Sequence, residues 1–551
     1  MKKLWLCAML LGFWAELGLT QSTQELINDG KNTENVTTHS MGYDRKSYSP
    51  LKQINKSNIK RLTPVWSTSL MNDLGELAAP TIYNGVMYTI NGKWTFALDV
   101  ETGLQIWRSA VRLEPGITRP AFHRGGATIY NGKLFRVTID NHVLALDMKT
   151  GEQVWNQKFA DAKEGYYATG GPIVANGVLI SGVAGGESTT RGFLDGWDPE
   201  TGKKLWRRHT IPAPGEPGFE TWPKTGDAWT QGGGPTWRSG SYDPQLDLVY
   251  WGTGNAEPYD PKPREGLDSL FTNSVLAIRP KTGEMVCYYQ FTPNDVYDVD
   301  GTDEMLLADI RVGGQLRKVM IQTNKNGFLY VLDRTNCKLI AAQPYVKVNW
   351  ATHVDMATGR PVLTDIYKRF AAGEEVEIWP SRGTNAVPIA FNPNTGLIYA
   401  STWNVPRIQR LAQPKPPVIG GVSTGVTAKF PEIKPGDVLG HFAAINPLTG
   451  EKKWEVPLDL PSSAGMLATG GGLVFTGKLT GEFIALDENT GKTLWQFKTG
   501  SSINSTAITY THKGRQYLTV ASGLGGTLAT RYAAAKMPSG GSVWTFALMP
   551  E

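Results

Sequence analysis

The chain has 551 residues, of which 40% are hydrophobic, 62 are glycine and 18 are tryptophan. This length allows several domains or one large repeated β architecture, and many glycines with many aromatic residues favour short strands joined by tight turns. The 55 basic and 50 acidic residues give a formal charge of +5. They form no long basic run, which argues against a nucleic-acid-binding protein.

The N-terminal segment has a composition of its own. Lys2 and Lys3 precede an apolar run that extends to Ala15. This pattern is typical of a secretory signal peptide, and the run is too short to span a bilayer comfortably. We therefore predict a signal peptide over residues 1–20 and a mature, exported domain over residues 21–551. No other segment has the pattern of a membrane span, so we expect no stable membrane insertion.

Two of the three cysteines, Cys287 and Cys337, belong to the predicted mature chain. Export permits a disulfide between them, whereas two separate buried thiols are the alternative, because the sequence does not set their distance. The sequence contains no Cys-x-x-Cys-His motif, so we expect no covalently attached c-type haem.

One motif recurs along the chain: a strand ending in Ala-x-Asp, then x-x-Thr-Gly, then a strand ending in tryptophan. Each copy predicts a hairpin, because Asp or Asn at the start of the turn can accept bonds from the backbone ahead and glycine supplies the positive φ. The seven copies begin at Ala97, Ala145, Gly196, Ala277, Val331, Ala444 and Ala485, and the fourth and fifth are degenerate.

The two ends of the chain supply an eighth unit. Residues 61–66 resemble a strand ending in Trp66 without the preceding turn, and the strands of residues 507–548 lack a following copy. Joining both ends closes a ring and removes exposed sheet edges. The sequence therefore predicts an all-β, eight-bladed β-propeller in one domain, with a capped solenoid as the alternative. We expect residues 208–236 and 340–440 to form excursions over one face.

The repeat resembles the tryptophan-docking motif of quinoprotein alcohol dehydrogenases, the family of the methanol and ethanol enzymes. Residues 48–55 also resemble that family's mature N-terminal signature, and the similarity runs from about residue 40 to the end. Non-catalytic scaffolds of the bacterial envelope carry the same repeat. The repeat alone therefore leaves both an enzyme and a scaffold open, and the residues of the site must decide.

The resemblance implies a metal site. Glu187, Asn255 and Asp298 match the family's metal-binding residues, and Asp298 also matches the catalytic aspartate. Asp300 resembles the acidic residue of the lanthanide-dependent branch, and its side chain shares a side with that of Asp298 if the segment is extended. Oxygen ligands suit a hard cation, so a lanthanide is favoured and Ca²⁺ is the alternative. The structural alternative is that Asp300 only caps the turn at Gly301.

The resemblance also implies pyrroloquinoline quinone as cofactor. Trp237 matches the indole that stacks on the quinone, while Arg124, Thr169, Lys325 and Asn385 match polar cofactor contacts. A lysine replaces the arginine that many relatives have at the position of Lys325. In this reading the metal polarises a quinone carbonyl and Asp298 accepts the proton of the alcohol hydroxyl.

Three departures from the family bear on the substrate. Residues 118–119 are Thr-Arg where many relatives have adjacent cysteines, Ala184 replaces a cofactor-binding serine, and Ser463 stands where the methanol enzymes have tryptophan. These changes would enlarge or open the pocket, which argues against strict methanol specificity. Sugars, polyols and bulky secondary alcohols therefore remain alternative substrates to simple alcohols.

The expected activity is the periplasmic oxidation of alcohols to aldehydes or ketones. Because no haem is expected on this chain, the resemblance implies a separate electron acceptor such as a soluble cytochrome c. The resemblance also allows a homodimer. A non-catalytic envelope scaffold is the hypothesis from a different functional class.

Overall fold

The computed structural model describes residues 21–71, 76–117, 125–385, 387–413, 418–532 and 537–550. The predicted signal peptide, the Thr-Arg pair of residues 118–119 and the predicted cofactor contact Arg124 lie outside the described residues. Within the described ranges the chain forms 38 strands and only three short α-helices. This content confirms the predicted all-β class.

Residues 48–344 contain 22 of these strands. They are β1 (Tyr48–Ser49), β2 (Leu62–Ser69), β3 (Thr81–Tyr83), β4 (Val86–Asn91), β5 (Trp94–Asp99), β6 (Gln105–Ala110), β7 (Thr128–Tyr130), β8 (Lys133–Val137), β9 (His142–Asp147), β10 (Gln153–Lys158), β11 (Ile173–Ala175), β12 (Val178–Gly182), β13 (Phe193–Trp197), β14 (Lys204–His209), β15 (Ser241–Asp243), β16 (Leu248–Gly252), β17 (Ser274–Ile278), β18 (Met285–Gln290), β19 (Leu306–Val312), β20 (Gln315–Thr323), β21 (Phe328–Asp333) and β22 (Leu339–Pro344).

The remaining strands are β23 (Ala351–Asp355), β24 (Arg360–Leu363), β25 (Val376–Ile378), β26 (Ala390–Asn392), β27 (Leu397–Trp403), β28 (Arg407–Leu411), β29 (Val426–Lys429), β30 (Gly440–Ile445), β31 (Lys452–Leu458), β32 (Leu467–Thr469), β33 (Leu473–Gly477), β34 (Glu482–Asp487), β35 (Thr493–Lys498), β36 (Ile508–His512), β37 (Arg515–Ser522) and β38 (Ser542–Leu548). The helices are α1 (Thr23–Ile27), α2 (Ile366–Ala371) and α3 (Gly526–Tyr532). None of the helices in the described residues is long and apolar enough to span a membrane.

Eight of the sheets formed by the described residues have four or five strands each. Five of them use consecutive strands: β3 to β6, β7 to β10, β11 to β14, β15 to β18 and β19 to β22. The sixth has the order β26-β27-β30-β31. The seventh contains β32 to β35, and β1 pairs in parallel with β32 at its edge. In the eighth, the N-terminal β2 pairs with β38 beside β37 and β36.

The order of strands within each sheet separates two ends. In an antiparallel sheet of consecutive strands, the first-to-second and third-to-fourth connections lie at one end. All seven copies of the repeat lie in third-to-fourth connections, such as the turn between β5 and β6. The second-to-third connections and the links between sheets lie at the opposite end. We call these the turn end and the site end.

At the turn end, the repeat builds the contact between neighbouring sheets. Asp147 accepts the predicted bond from the Thr150 N–H at 2.9 Å. The indole of Trp107 donates to the Met148 carbonyl at 3.0 Å, and it covers Gly151, where an added Cβ would lie 2.5 Å from the ring. Gly151 therefore provides the predicted positive φ and also clears space for a tryptophan of the preceding sheet.

The same docking recurs around the molecule. The indoles of Trp66, Trp155, Trp206, Trp454 and Trp495 donate to the carbonyls of Val100, Pro199, Pro280, Glu488 and Leu62. These contacts link six pairs of sheets, including the Trp107 contact. Apolar side chains such as Phe135, Ile180 and Val249 fill the space between the sheets as a buried core.

Two expectations change in detail. Residues 340–440 do not form only an excursion, because β26 and β27 belong to a four-stranded sheet. The excursion itself carries the two-stranded sheet β23-β24 and the three-stranded sheet β25-β28-β29. Cys287 and Cys337, whose pairing the sequence left open, form a disulfide with their Cα atoms 5.8 Å apart.

Candidate functional site

The described residues of the predicted site all lie in connections at the site end. Glu187, Asn255 and Lys325 lie in second-to-third connections, which follow β12, β16 and β20. Thr169, Trp237, Asp298, Asp300 and Asn385 lie in links that lead to the first strand of the next sheet. The strand order thus brings residues from five sheets to one end of the molecule, away from the repeated turns.

The centre of the site is a buried lysine between two aspartates. Lys325 Nζ donates to Asp298 Oδ1 and to Asp300 Oδ2, both at 2.7 Å. The Lys325 side chain is 4% exposed, so both ion pairs are shielded from water. The segment is not extended at Asp298, which has φ of +57° and does not lie in a strand. A left-handed residue, and not strand alternation, turns both carboxylates to one ammonium.

Two arginines complete the surroundings of Asp298. Arg382 Nη2 lies 3.7 Å and Arg407 Nη1 lies 3.6 Å from Asp298 Oδ2. Burial alone would raise the pKa of Asp298, but Lys325, Arg382 and Arg407 outweigh burial and hold that pKa below its ordinary value. Asp298 is therefore a carboxylate at neutral pH, the form that can accept a proton.

Asn255 and Glu187 approach the same centre from the neighbouring sheets. The Asn255 backbone N–H donates to Asp300 Oδ1 at 2.8 Å, so Asp300 does more than cap the turn at Gly301. The Asn255 amide donates to the Gly186 carbonyl at 3.2 Å. A Cβ on Gly186 would lie 2.5 Å from Asn255 Oδ1, so only glycine allows this close approach beside Glu187.

The cluster holds more negative charge than its lysine offsets. Burial, followed by the charges of Asp298 and Asp300, raises the pKa of Glu187 to about 7. Burial and the nearby Glu187 charge likewise raise the pKa of Glu257 to about 8. Glu187 forms no ion pair among the described residues. A bound cation would relieve this repulsion, so the donor set fits a hard metal ion.

Binding of a metal ion at this site requires one side chain to move. Within the described part of the chain, no three His, Cys, Asp or Glu side chains converge as ligands. The Lys325 ammonium instead lies between Asp298 and Asp300. Binding of a cation by both aspartates therefore requires the ammonium to move aside.

The predicted cofactor contacts that the structure describes form two groups at the site end. Trp237 is half-buried, and its backbone carbonyl accepts from the Thr169 hydroxyl at 3.2 Å. The segment that carries Asn385 is joined to Lys325, because the Gly383 N–H donates to the Lys325 carbonyl at 2.8 Å. Asn385 lines a cavity with Arg382 and Ser463. This places Thr169 beside Trp237 and joins the segment of Asn385 to the backbone of Lys325.

Unpartnered buried polar atoms test the fit of a polar, anionic cofactor. Arg382 Nε and Thr384 Oγ1 are buried without a hydrogen-bond partner among the described residues. Buried donors of this kind are costly unless a ligand pairs with them. Their position next to Asn385 fits a ligand that carries carboxylate and carbonyl oxygens. The residues present therefore fit pyrroloquinoline quinone.

The sequence did not single out four residues of this centre. Arg382, Arg407, Glu257 and Tyr259 all lie in irregular connections or in short strands of the excursion. The pKa of Tyr259 lies well above its ordinary value because of burial and then the charges of Asp298 and Glu187, which places its phenol beside the carboxylates. Only Glu257 had a sequence signal, since it follows Asn255 by two residues.

Comparison with known proteins identifies the family of this chain. Residues 37–349 and 421–518 match the family described as PQQ: glucose/ethanol/alcohol dehydrogenase, beta-propeller domain. The chain is 36% identical to quinoprotein alcohol dehydrogenase PedH of Pseudomonas putida, covering 98% of this chain and 96% of the relative. It is 35% identical to quinoprotein ethanol dehydrogenase of Pseudomonas aeruginosa, covering 97% and 94%.

A solved structure gives the same result. The fold superimposes on a europium-containing methanol dehydrogenase with a TM-score of 0.89 and 32% identity, covering 95% of this chain and 100% of that one. The chain has a β-propeller fold and belongs to the family of PQQ-dependent quinoprotein alcohol dehydrogenases.

Proposed function

We propose that this protein oxidises alcohols to aldehydes or ketones in the periplasm, with pyrroloquinoline quinone and one multivalent cation. The observation that carries the proposal is a buried network in which Lys325 donates to Asp298 and Asp300, and the Asn255 backbone donates to Asp300. The charges of both aspartates also act on Glu187. These residues come from separate connections, so their contacts are a property of the folded chain. An envelope scaffold has no need of such a buried cluster of charges.

The residues divide into two sets. Glu187, Asn255, Asp298 and Asp300 would hold the cation, and Trp237, Thr169, Lys325 and Asn385 would hold the quinone, with Arg124 as a further expected contact. When bound, the quinone supplies the two-electron acceptor and the cation supplies Lewis acidity.

Asp298 is the proposed general base. It is ionised at neutral pH, and its Oδ2 faces two arginines 3.6 and 3.7 Å away, while its Oδ1 accepts a hydrogen bond from Lys325. The positive φ of Asp298 fixes the direction of this carboxylate, which orients the base before substrate arrives.

We favour a lanthanide over Ca²⁺. Asp300 adds a second carboxylate next to Asp298, and more negative oxygen donors favour a trivalent ion. The similarity to a europium-containing methanol dehydrogenase supports this choice.

For the substrate, we propose alcohols larger than methanol, with sugars and polyols as the second candidate. Ser463, which stands in place of a bulky tryptophan, lines the cavity that contains Arg382 and Asn385. A small side chain at this position leaves room beside the proposed base. Polar groups in the cavity wall would suit a polyol, which is why that class is retained.

Location, acceptor and assembly remain part of the proposal. The predicted signal peptide supports the periplasm, and the absence of a haem-attachment motif from the sequence supports a separate cytochrome c as electron acceptor. We propose that residues 21–551 form one domain, in which the eight sheets are blades of a ring completed by β2 and the C-terminal strands. A homodimer is compatible with this arrangement.

Reconstitution tests the function directly. The full chain is freed of metal, loaded with the quinone and either Ca²⁺ or La³⁺, and assayed by dye reduction with methanol, ethanol, a secondary alcohol and a polyol. We expect activity with La³⁺ to exceed activity with Ca²⁺, and ethanol to exceed methanol. Asp300→Ala should remove the preference for La³⁺. Absence of alcohol-dependent dye reduction with either ion would contradict the proposal.

A further inference from the structure

A cavity of about 390 Å³ lies at the site end beside the carboxylate cluster. Its wall includes the oxygen-bearing side chains of Thr189, Asp227, Gln231, Glu257, Asp260 and Ser423. Among the described residues, no lysine, arginine or histidine lines it. Two of its three carboxylates, Asp227 and Asp260, have no facing cation in this wall, which gives the cavity a negative character that attracts cations.

Glu257 is the innermost of these carboxylates. Its side chain is 2% exposed, and Oε1 accepts from the Ser423 hydroxyl at 3.2 Å. Oε2 is buried and has no hydrogen-bond partner within the described ranges. A buried carboxylate oxygen without a partner is costly, so this atom points to a missing ligand of positive charge or a donor.

Ser423 joins the cavity to the proposed metal pocket. Its hydroxyl contacts Glu257, and its backbone N–H donates to the Glu187 carbonyl at 3.1 Å. Glu257 also follows Asn255 by only two residues, so its backbone is continuous with the pocket. Glu257 therefore lies between the cavity and the cluster of Glu187, Asp298 and Asp300.

The carboxylates become more buried in the direction of the pocket. Asp227 is exposed, Asp260 is half-buried, and Glu257 is buried. At about 30 Å³ for each water, the cavity has room for roughly a dozen waters, enough for a cation that keeps its hydration shell. This graded burial suits passage of a hydrated ion better than tight chelation.

We propose that this cavity is a cation vestibule, which captures a hydrated multivalent cation and delivers it past Glu257 to the metal pocket. The inference rests on the proposed function, because it requires the pocket of Glu187, Asn255, Asp298 and Asp300 to bind a metal. It adds a second, weaker binding place and a route of entry. Glu257 exchanges part of the hydration shell for its unpaired oxygen before the ion reaches Glu187.

Terbium binding to the full, metal-free chain tests the vestibule without an activity assay. Terbium luminescence, excited through aromatic side chains such as Tyr259, is followed after rapid mixing with TbCl₃. The test variants are Asp227→Asn/Asp260→Asn, which neutralises the outer cavity, and Glu257→Gln, which keeps the shape and the Ser423 bond. Asp365→Asn/Asp459→Asn, at two exposed aspartates outside the cavity, is the control with the same charge change.

We expect the association rate constant to fall about tenfold in Asp227→Asn/Asp260→Asn and at least as much in Glu257→Gln. The control variant should match wild type, and the final luminescence of all four proteins should be equal. An association rate within twofold of the control in either test variant would overturn the vestibule. Loss of final luminescence in Glu257→Gln at an unchanged rate would make Glu257 a ligand and would also overturn it.

The metal pocket has its own control, which separates the two proposals. Asp300→Ala should abolish high-affinity terbium binding. If wild type binds no terbium at one saturable site, or Asp300→Ala binds it equally well, the proposed metal pocket fails and the vestibule fails with it. If Asp300→Ala loses binding but the cavity variants associate at the control rate, only the vestibule fails.

Discussion

The turn end and the site end belong to the same strands but have different roles in the molecule. At the turn end, seven short connections repeat one local sequence. Tryptophan indoles such as those of Trp107 and Trp155 contact the turn of the next sheet. At the site end, the connections differ in length and share no sequence, and they bury carboxylates beside lysine and arginine. The comparison shows that repeated contacts between neighbouring sheets stabilise the fold. Contacts that are not repeated, between residues far apart in the chain, carry the chemistry.

The largest expected effect is at the site end. Asp298→Asn should lower kcat for alcohol-dependent dye reduction by about 10³-fold, because the amide cannot accept the hydroxyl proton. Asparagine tolerates the positive φ of this position, so the fold should be retained. Steady-state assays and circular dichroism on the reconstituted enzyme check both parts. Activity within tenfold of wild type would remove Asp298 as the base. Asp309→Asn, at an exposed aspartate that pairs with the buried Arg334, should leave kcat unchanged.

At the turn end, Gly151→Ala should lower the free energy of unfolding by about 3 kcal/mol. The change combines a left-handed backbone with a Cβ that would lie 2.5 Å from the Trp107 ring. Gly396→Ala is the matched control, because its φ is +69° but nothing lies within 4 Å of the added Cβ. That variant should lose only about 1 kcal/mol. Equal losses in urea unfolding would show that the docking contact contributes nothing.

A buried charge cluster near the site gives a smaller, pH-dependent effect. Glu304 lies 2.8 Å from His39 and 3.5 Å from Arg238, the residue after Trp237. Burial would raise the pKa of Glu304, but His39, Arg238 and Arg45 hold it well below its ordinary value. Glu304→Gln should therefore cost about 2 kcal/mol at neutral pH.

The sign of the pH effect follows from the lowered pKa. The stabilisation from Glu304 is present above the unfolded-state pKa near 4.5 and is lost as the pH falls below that value. The difference between wild type and Glu304→Gln should shrink by about 1 kcal/mol from pH 7 to pH 4. Urea unfolding of both proteins at the two pH values measures this. A difference that grows on acidification would contradict the assignment.

The smallest effect tests the equivalence of the repeats. Trp107→Phe removes the indole bond to Met148 and should lower the free energy of unfolding by about 1 kcal/mol. Trp454→Phe should cost the same, since its indole donates to Glu488 at the same distance of 3.0 Å. Losses that differ by more than about 1 kcal/mol in urea unfolding would show that the docks are not equivalent.

The sequence predicted only part of the site. The resemblance selected Glu187, Asn255, Asp298, Asp300 and Lys325, and the structure brings them together at the site end. The resemblance gave no reason to select Arg382 or Arg407, because both lie in the long excursion after β22, far along the chain from Asp298. Residues 298–300 are not extended, and the positive φ of Asp298 depends on packing that spacing does not encode.

The sequence by itself determined the repeated hairpins, the family and the residue types at the site, because short turns depend on neighbours three or four positions away. Only the tertiary structure decided the disulfide, the pairing of Lys325 with both aspartates and the unpaired oxygen of Glu257. Those features require groups from different sheets to meet. Their distances and charges depend on how whole sheets pack, and local backbone preferences do not fix that packing.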